Sequence, residues 1–276
     1  MSTWLITGCS TGLGRDLARV VLEHGHSAVV TARNPTTVQE LVDAFPETAL
    51  AVALDVTDPA QAAEAVRSAD ERFGGVDVLV NNAGYGYRAA VEEGEDDAVG
   101  QLFATNFFGA VTMTKAVLPG MRRRRSGAIV NISSIGAQIA PAGSGYYAAS
   151  KAALEALSAS LGKEVGPLGI SVTVVEPGGF RTDFAGRSLQ QAAEPIADYA
   201  ETAGRRRKEH DTVHGTQPGD PTRAAEAIIA AVEAPEPPSL LVLGRDALDG
   251  YRSTLEARRR ELDAWEETSL STGFAG

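Results

Sequence analysis

The segment 144–154, SGYYAASKAAL, places two tyrosines and a lysine at spacings that suit proton transfer. Tyr147 precedes Lys151 by four residues, and residues four apart share one face of an α-helix. Tyr146 precedes the lysine by five residues and points about 140° away from it. A fixed ammonium beside the Tyr147 hydroxyl favours the phenolate and is expected to lower its pKa from about 10. Such a tyrosine is a candidate general acid for a carbonyl and a candidate base for an alcohol.

A second candidate site is the glycine-rich sequence TGCSTGLG at residues 7–14. It follows a short apolar run and opens a helix-period segment. Glycines let the backbone turn sharply and approach a ligand closely, and the amides of a first helical turn favour an anion. The loop therefore predicts a phosphate-binding site. A tight strand-to-helix turn with no ligand is the alternative.

The end of the second apolar run bears on the kind of nucleotide that would be bound. NAD-binding chains with this order of elements usually place an acidic residue there, where it holds the ribose hydroxyls. This sequence instead has Ala32 followed by Arg33. Because a guanidinium group suits a 2′-phosphate, we expect NADP(H) to be preferred over NAD(H).

The elements that would position these residues alternate along the chain. Most of the apolar runs are nearly continuous, as in parallel strands buried on both faces. The pattern predicts an α/β fold, a doubly wound parallel sheet of about seven strands flanked by helices. The expected strands are 3–7, 27–32, 49–54, 76–81, 127–133, 170–176 and 239–244, and the expected helices lie near 13–24, 36–44, 59–72, 96–123, 146–165, 221–233 and 246–267.

The 276 residues fit one domain of this class, with a core over 1–184 and a C-terminal part over 221–276. Residues 185–220 interrupt the alternation with glycine, proline and charged residues and contain no predicted strand. We interpret them as a lid over the site rather than a floppy connection. The last helix is expected to pack on its own domain, with a second subunit as the alternative, through an apolar seam of Leu248, Tyr251, Leu255, Leu262 and Trp265.

The composition excludes several classes of function. A net charge of −11 argues against a nucleic-acid-binding face, and the basic runs 122–125 and 205–208 are interpreted as solvated helix faces and ends. A single cysteine, Cys9, allows no intrachain disulfide. Neither a signal peptide nor a membrane-spanning run is predicted, so we expect a cytoplasmic protein. No metal is expected, since metal-like spacing is missing from the four histidines, His24, His26, His210 and His214.

Three motifs together resemble the short-chain dehydrogenase/reductase family over residues 1 to about 184: TGCSTGLG, NNAG at 81–84, and Tyr147-x-x-x-Lys151. The resemblance implies a Rossmann-like sheet and an NADP(H)-dependent oxidoreductase that interconverts a carbonyl and an alcohol. Tyr147 would then handle the proton, and Ser134 would orient the substrate oxygen, with Ser133 as the alternative. Asn106 would hold a water that links Lys151 to solvent.

The resemblance also implies two sets of contacts. The cofactor would meet the glycine loop and the ends of several strands, at Gly8, Ser10, Thr11, Gly12, Leu13, Gly14, Arg33, Asp55, Val56, Asn82, Ala83, Gly84, Tyr147, Lys151, Pro177, Gly178, Phe180 and Thr182. Asn81 is expected to be structural. A medium-sized, hydrophobic carbonyl compound or alcohol is the expected substrate, in a pocket shaped by Tyr85, Tyr87, Ser134, Gln138, Tyr147 and Phe184.

Relatives commonly assemble through the two long helices, so a homodimer or homotetramer is expected. Two other functions stay open. One is a regulatory protein that binds NADP(H) without turnover, which the complete set of four catalytic positions argues against. The other is an enzyme of the same family that uses the tyrosine for epimerisation or dehydration.

Overall fold

The computed structural model describes residues 1–182, 188–213 and 215–274, with the backbone alone for 209–213. Phe184 and His214, both singled out in the sequence, lie outside the described residues. So does the side chain of His210.

Seven parallel strands form the central sheet, and two short strands form a separate pair. In chain order the strands are β1 (Thr3–Ile6), β2 (Ser27–Ala32), β3 (Ala49–Ala53), β4 (Val78–Asn81), β5 (Gly86–Arg88), β6 (Gly127–Ile132), β7 (Ile170–Pro177), β8 (Leu189–Gln191) and β9 (Leu240–Leu243). The sheet order is β3-β2-β1-β4-β6-β7-β9. The expected doubly wound, Rossmann-like sheet is therefore confirmed. Its direction of growth reverses between β1 and β4, and ligands of such sheets bind at the carboxyl ends of strands beside this switch.

The helices cover both faces of the sheet. They are α1 (Gly12–Glu23), α2 (Gln39–Ala44), α3 (Pro59–Phe73), α4 (Asp96–Phe103), α5 (Ala110–Arg124), α6 (Gly136–Ile139), α7 (Gly145–Val165), α8 (Ala203–Val213), α9 (Pro221–Glu233), α10 (Arg245–Ala264) and α11 (Glu266–Leu270). One apolar core joins α1 and α9 to the sheet, and a second joins α3, α5 and α7 to the other face. Among the helices of the described residues, none combines the length and apolar character needed to cross a bilayer.

The long helix expected over 96–123 is divided. A π-helical turn over Ala104–Gly109 separates α4 from α5. Gly109 packs so closely on Val56 that a Cβ there would lie 2.5 Å from Val56 Cγ2. A π-helical turn widens the helix locally and frequently occurs at functional sites. Here it places Asn106 in the middle of the widened turn.

The two short strands correct the expectation that 185–220 holds no strand. β5 pairs in parallel with β8, from Gly86 opposite Leu189 to Arg88 opposite Gln191. Three residues are too few to show a period of two, so the sequence gives no strand signal there. The pairing attaches the start of the 188–213 segment to the loop after β4.

The last helix only partly meets its own domain. Ala247 is buried at its start, but Leu262 is 72% exposed and Trp265 is 62% exposed. The expectation that the whole apolar seam packs on its own domain is therefore wrong for the second half of α10. Arg258 still donates to Gln138 over 3.4 Å, but the apolar side chains beyond it are exposed.

Candidate active site

Tyr147 and Lys151 lie in the first two turns of α7 and face a cavity of about 210 Å³ at the carboxyl ends of β6 and β7. Ser134, just after β6, lines the same cavity. Three of the four candidate catalytic residues therefore meet at one opening. The cavity shares Thr11, Asn82 and Gly84 with a neighbouring groove.

The two tyrosines lie in different surroundings. The Tyr146 hydroxyl donates to the Val91 carbonyl over 2.6 Å, and its ring centroid lies 6.3 Å from that of Tyr87. A Cβ at Gly94 would lie 2.2 Å from Tyr146 Cε2, so this ring covers the loop backbone. Tyr146 thus joins α7 to the 91–94 loop, while Tyr147 faces the cavity, as the helical spacing predicts.

The pKa of Tyr147 corrects one expectation from the sequence. Burial raises the pKa of Tyr147, and a hydrogen bond from Ser134 and the charge of Arg88 only partly offset that rise. Lys151 Nζ donates to the Ile132 carbonyl over 2.7 Å and lies 5.9 Å from the Tyr147 ring centroid. In this state the lysine is therefore directed at the backbone, and desolvation dominates the pKa of the phenol. Burial also lowers the pKa of Lys151 to about 8, against the opposing charge of Glu155.

The two serines after β6 point in different directions, as alternation along a strand requires. Ser134 hydrogen-bonds to Tyr147, and its Oγ also accepts from the Gly136 amide over 3.0 Å. Ser133 is buried and donates from Oγ to Glu155 Oε1 over 2.5 Å. Ser134 is thus the serine beside the tyrosine hydroxyl.

Asn106 holds the loop that follows β4. Its Oδ1 accepts from the Tyr85 amide over 3.0 Å, and its Nδ2 donates to the Tyr85 carbonyl over 2.9 Å. Nδ2 also reaches Ser150 Oγ on α7, at 3.2 Å. A Cβ at Gly84 would lie 3.0 Å from Asn106 Oδ1 and 3.4 Å from Lys151 Nζ. Because Gly84 has no side chain, the space between the asparagine and the lysine stays open.

The glycine loop is closed by contacts that only small residues permit. Gly8 has a φ of +73°, and a Cβ there would lie 2.9 Å from Ala83 Cα. At Gly14 a Cβ would meet Asn82 Nδ2 at 2.2 Å. Asn82 Nδ2 in turn donates to the Thr7 carbonyl over 2.8 Å and to the Gly8 carbonyl over 3.1 Å. Asn82 thus fixes the shape of the loop. Asn81 instead donates to Asn131 within the sheet, a structural contact.

The first turn of α1 fits a phosphate group. Thr11 at the N-cap makes no side-chain cap, and the turn contains no acidic residue. Its amides face the groove unshielded by a carboxylate, in the arrangement that favours an anion. Gly12 has a φ of +63°, and among the described residues a Cβ there would meet only Thr182, at 3.6 Å. The groove, of about 540 Å³, continues past Ser10, Arg33, Asp55 and Val56.

The groove contains no carboxylate at the end of β2, where Ala32 is buried and Arg33 is exposed. Across it, the Asp55 carboxylate accepts from the amide and hydroxyl of Thr57, which lowers the pKa of Asp55. Arg33 attracts the same carboxylate. These residues therefore fit a dinucleotide whose phosphates lie at the glycine loop and whose adenosine lies between Arg33 and Asp55.

The turn after β7 forms the opposite wall of the cavity, where Pro177, Gly178, Phe180 and Thr182 line it. Gly178 donates to the Leu243 carbonyl over 2.9 Å, and Gly179 donates to Asp246 Oδ2 over 2.7 Å. Asp246, in the first turn of α10, thus holds this turn. The sequence gives no signal of this contact, because an acidic residue in a first helical turn is common without it.

Three residues expected at the substrate pocket lie away from the cavity of Tyr147. Tyr87 is buried, and its hydroxyl donates to Glu95 beneath the 188–213 segment. Gln138 donates from Nε2 to Glu155 and Glu176 and lines a different groove. Tyr85 lines the groove beside the glycine loop rather than the cavity of Tyr147. Those three expectations are corrected. The partners of Gln138 lie 17 and 38 residues away in the sequence, so residue spacing gives no sign of them.

Comparison with known proteins identifies the class. The profile of the family described as short chain dehydrogenase matches residues 2–193. The chain therefore belongs to the short-chain dehydrogenase/reductase family of oxidoreductases, as the motifs indicated. It is 40% identical over 273 residues to the oxidoreductase BOA17 of Botryotinia fuckeliana, and the match covers 98% of each chain.

Solved structures agree with this assignment. A short-chain dehydrogenase from Streptomyces avermitilis is similar with a TM-score of 0.93 and 42% identity, covering 99% of this chain and all 100% of that one. A serine dehydrogenase solved in a closed form with NADP⁺ is similar with a TM-score of 0.75 and 28% identity, covering 87% and 94%. The whole described fold, including the part after residue 193, is therefore shared with a member of the family.

Proposed function

We propose that this protein is an NADP(H)-dependent oxidoreductase that interconverts a ketone or aldehyde and the corresponding alcohol. One observation carries the proposal: Ser134, Tyr147 and Lys151 line a single cavity that opens into the glycine-loop groove. A nicotinamide cofactor supplies or accepts the hydride in such chemistry. The NADP⁺ complex of the similar serine dehydrogenase supports that class of cofactor.

The side chains of the cavity have distinct roles in this proposal. The raised pKa of Tyr147 keeps its hydroxyl protonated, so that it can donate to a carbonyl oxygen. Ser134, already hydrogen-bonded to Tyr147, places the same oxygen. Lys151 returns the proton to Tyr147, and Asn106 holds the water that connects the lysine to solvent. The hydrogen bonds of Asn106 to the Tyr85 backbone fix its amide for this task.

The preference for NADP(H) rests on Arg33. Its exposed guanidinium borders the groove where the ribose of the adenosine half would lie. The residue directly before it is Ala32, so no carboxylate occupies that position at the end of β2. Arg33→Ala should weaken NADPH binding about 10- to 100-fold, the effect of losing one or two charge-assisted hydrogen bonds. NADH binding should stay within about twofold. Fluorescence titration of both cofactors measures this, with Arg67→Ala on the exposed face of α3 as the control. Equal losses for the two cofactors would contradict the role.

The substrate is proposed to be a medium-sized, hydrophobic carbonyl compound or alcohol. Phe180 and Leu13 line the cavity with apolar surface. Ser188 and Gln217, from the segment beyond β7, also line it. We propose that this segment, residues 185–220, acts as the lid. A homodimer or homotetramer is also proposed, because the exposed second half of α10 offers apolar surface to another subunit.

The decisive experiment follows NADPH oxidation with a panel of ketones, aldehydes and quinones. Tyr147→Phe should reduce turnover about 10²- to 10⁴-fold, the usual contribution of a positioned general acid, while NADPH binding is kept. Tyr146→Phe is the matched control, since it removes the neighbouring hydroxyl on the other side of the helix. Wild-type turnover in Tyr147→Phe would exclude the proposed proton donor. Tight NADPH binding with no turnover of any compound would favour the regulatory alternative.

A further inference from the structure

A second cluster of titratable groups lies behind the candidate catalytic residues, and the proposed reaction does not use it. Glu155 is on α7, one turn after Lys151, and Glu176 is near the end of β7. Both carboxyl groups line a groove of about 1030 Å³ that also contacts Gln138 and Tyr251. The groove is separate from the cavity of Tyr147, so its chemistry has to be explained independently.

The contacts of the two carboxyl groups leave one oxygen without a donor. Gln138 Nε2 donates to Glu155 Oε2 over 2.6 Å and to Glu176 Oε1 over 3.1 Å. Ser133 Oγ donates to Glu155 Oε1. Glu176 is only 1% exposed, and its Oε2 accepts no hydrogen bond from any described donor. A buried carboxylate oxygen in that state is strongly unfavourable, unless a proton resides on it.

The neighbouring charges explain why such a proton would stay on the two carboxyl groups. The two carboxyl groups lie within hydrogen-bonding reach of each other, and two like charges at that separation cannot both be ionised at low cost. Burial and the charge of Glu155 raise the pKa of Glu176 to about 7. Burial also raises the pKa of Glu155. Among the described residues, Lys151 on α7 and Tyr251 on α10 also interact with the pair electrostatically, and Arg258 on α10 contacts Gln138.

We propose that Glu155 and Glu176 hold one proton between their carboxyl groups, and that this singly charged pair positions the catalytic residues. The shared proton satisfies the buried Glu176 oxygen. The remaining negative charge keeps Lys151 protonated, and the bond to Ser133 fixes the end of β6 next to Ser134. The positioning role rests on the proposed function, whereas the sharing of the proton does not.

The shared proton is tested by the stability of the whole protein as a function of pH. Because the folded-state pKa of Glu176 is raised, its contribution is complete below about 4.5 and is lost as the pH rises through 7. Glu176→Gln keeps a hydrogen-bond donor next to Glu155 and removes the carboxyl group of residue 176, which can then no longer lose a proton. The melting temperature of wild type should therefore fall relative to that of Glu176→Gln between pH 5 and pH 8. Parallel curves for the two proteins would overturn the proposal.

Glu164→Gln is the matched control for that measurement. Glu164 lies on the exposed face of α7 and accepts from Ser160 Oγ over 3.0 Å, so it repeats the serine contact without the paired acid. Its curve should follow that of wild type. Glu155→Gln leaves a single charge in the same way and should reproduce the Glu176→Gln curve. Failure of both glutamine variants to fold would contradict the proposal, since each contains the neutral partner that the pair is proposed to have.

The positioning role is tested by the pH profile of kcat/KM. Glu155→Gln moves the single charge of the pair to Glu176, away from the carboxyl group that raises the pKa of Lys151, so the limb of the profile near pH 8 should move to lower pH. Glu176→Gln leaves the charge on Glu155 and should leave that limb in place. A loss of equal factor at every pH would indicate a structural role only. Absence of turnover in wild type would overturn the proposed function and the positioning role, while the unfolding curves would still decide the shared proton.

Discussion

Two buried glutamates of this protein have opposite electrostatic surroundings. Glu93, before α4, receives two hydrogen bonds from Arg207 and one each from the amides of Ala90 and Ile196, and its pKa is lowered to about 2. Glu176, beneath the candidate active site, faces another acid, and its pKa is raised to about 7. The surroundings of each carboxyl group, not its burial alone, therefore decide whether it stays charged near neutral pH.

The difference separates two tasks. Glu92, Glu93 and Glu95 attach the segment after β8, by accepting from the Tyr199 hydroxyl, from Arg207 and from the Ala193 amide. The lowered pKa of Glu93 keeps its carboxylate charged in this set of contacts. Beneath the cavity, Tyr147, Lys151 and Glu176 all have pKa values moved by burial. Lys151 and Glu176, with pKa values of about 8 and about 7, thus lie next to the proposed proton donor, whereas the proposed lid is held by Glu93, whose pKa is lowered to about 2.

The largest expected effect comes from removing Arg207, the cation that holds the proposed lid to Glu93. Arg207→Met leaves the buried Glu93 carboxylate without its charged partner, and breaking such a pair should lower the free energy of unfolding by about 2–3 kcal/mol, less than in a deep interior because Arg207 is partly exposed. The KM for a carbonyl substrate should rise while NADPH affinity is unchanged, since the pair does not contact the glycine loop. Chemical denaturation and steady-state kinetics measure these two effects.

Arg205→Met provides the control on the same helix. Arg205 pairs with Glu201 at the surface, with both side chains largely exposed, and such pairs contribute about 0–1 kcal/mol. If Arg205→Met and Arg207→Met were equally destabilising, the lid attachment would not depend on the buried pair.

A smaller effect on stability is expected from lowering the pH of the wild-type protein. Glu93 loses its stabilising contribution as the pH falls, whereas Glu176 loses its contribution as the pH rises. The lowered pKa of Glu93 means that its contribution to stability is present above about 4.5 and is lost as the pH falls towards 2. Arg207→Met should abolish most of that loss, so the melting temperatures of variant and wild type should converge as the pH falls from 4.5. A gap that stayed constant over this range would show that Arg207 stabilises the lid by packing rather than by charge.

The sequence predicted the central sheet and most of the candidate site because both depend on local patterns. All seven strands of the sheet were expected within two residues of their ends, since buried parallel strands are continuous apolar runs. The helical spacing distinguished Tyr147 from Tyr146 before any contact was known. The π-helical turn at Asn106 and the short strands β5 and β8 were missed, because neither has a periodic signal.

What the sequence determined by itself is the seven strands of the central sheet, the glycine loop and the Tyr147–Lys151 pair, because each depends on residue types a few positions apart. Only the tertiary structure decided that burial raises the pKa of Tyr147, that Gln138 turns to Glu155 and Glu176, and that Arg207 reaches Glu93 across 114 residues of chain. Desolvation and charge pairing depend on which distant side chains surround a group. That information exists only once the chain has folded.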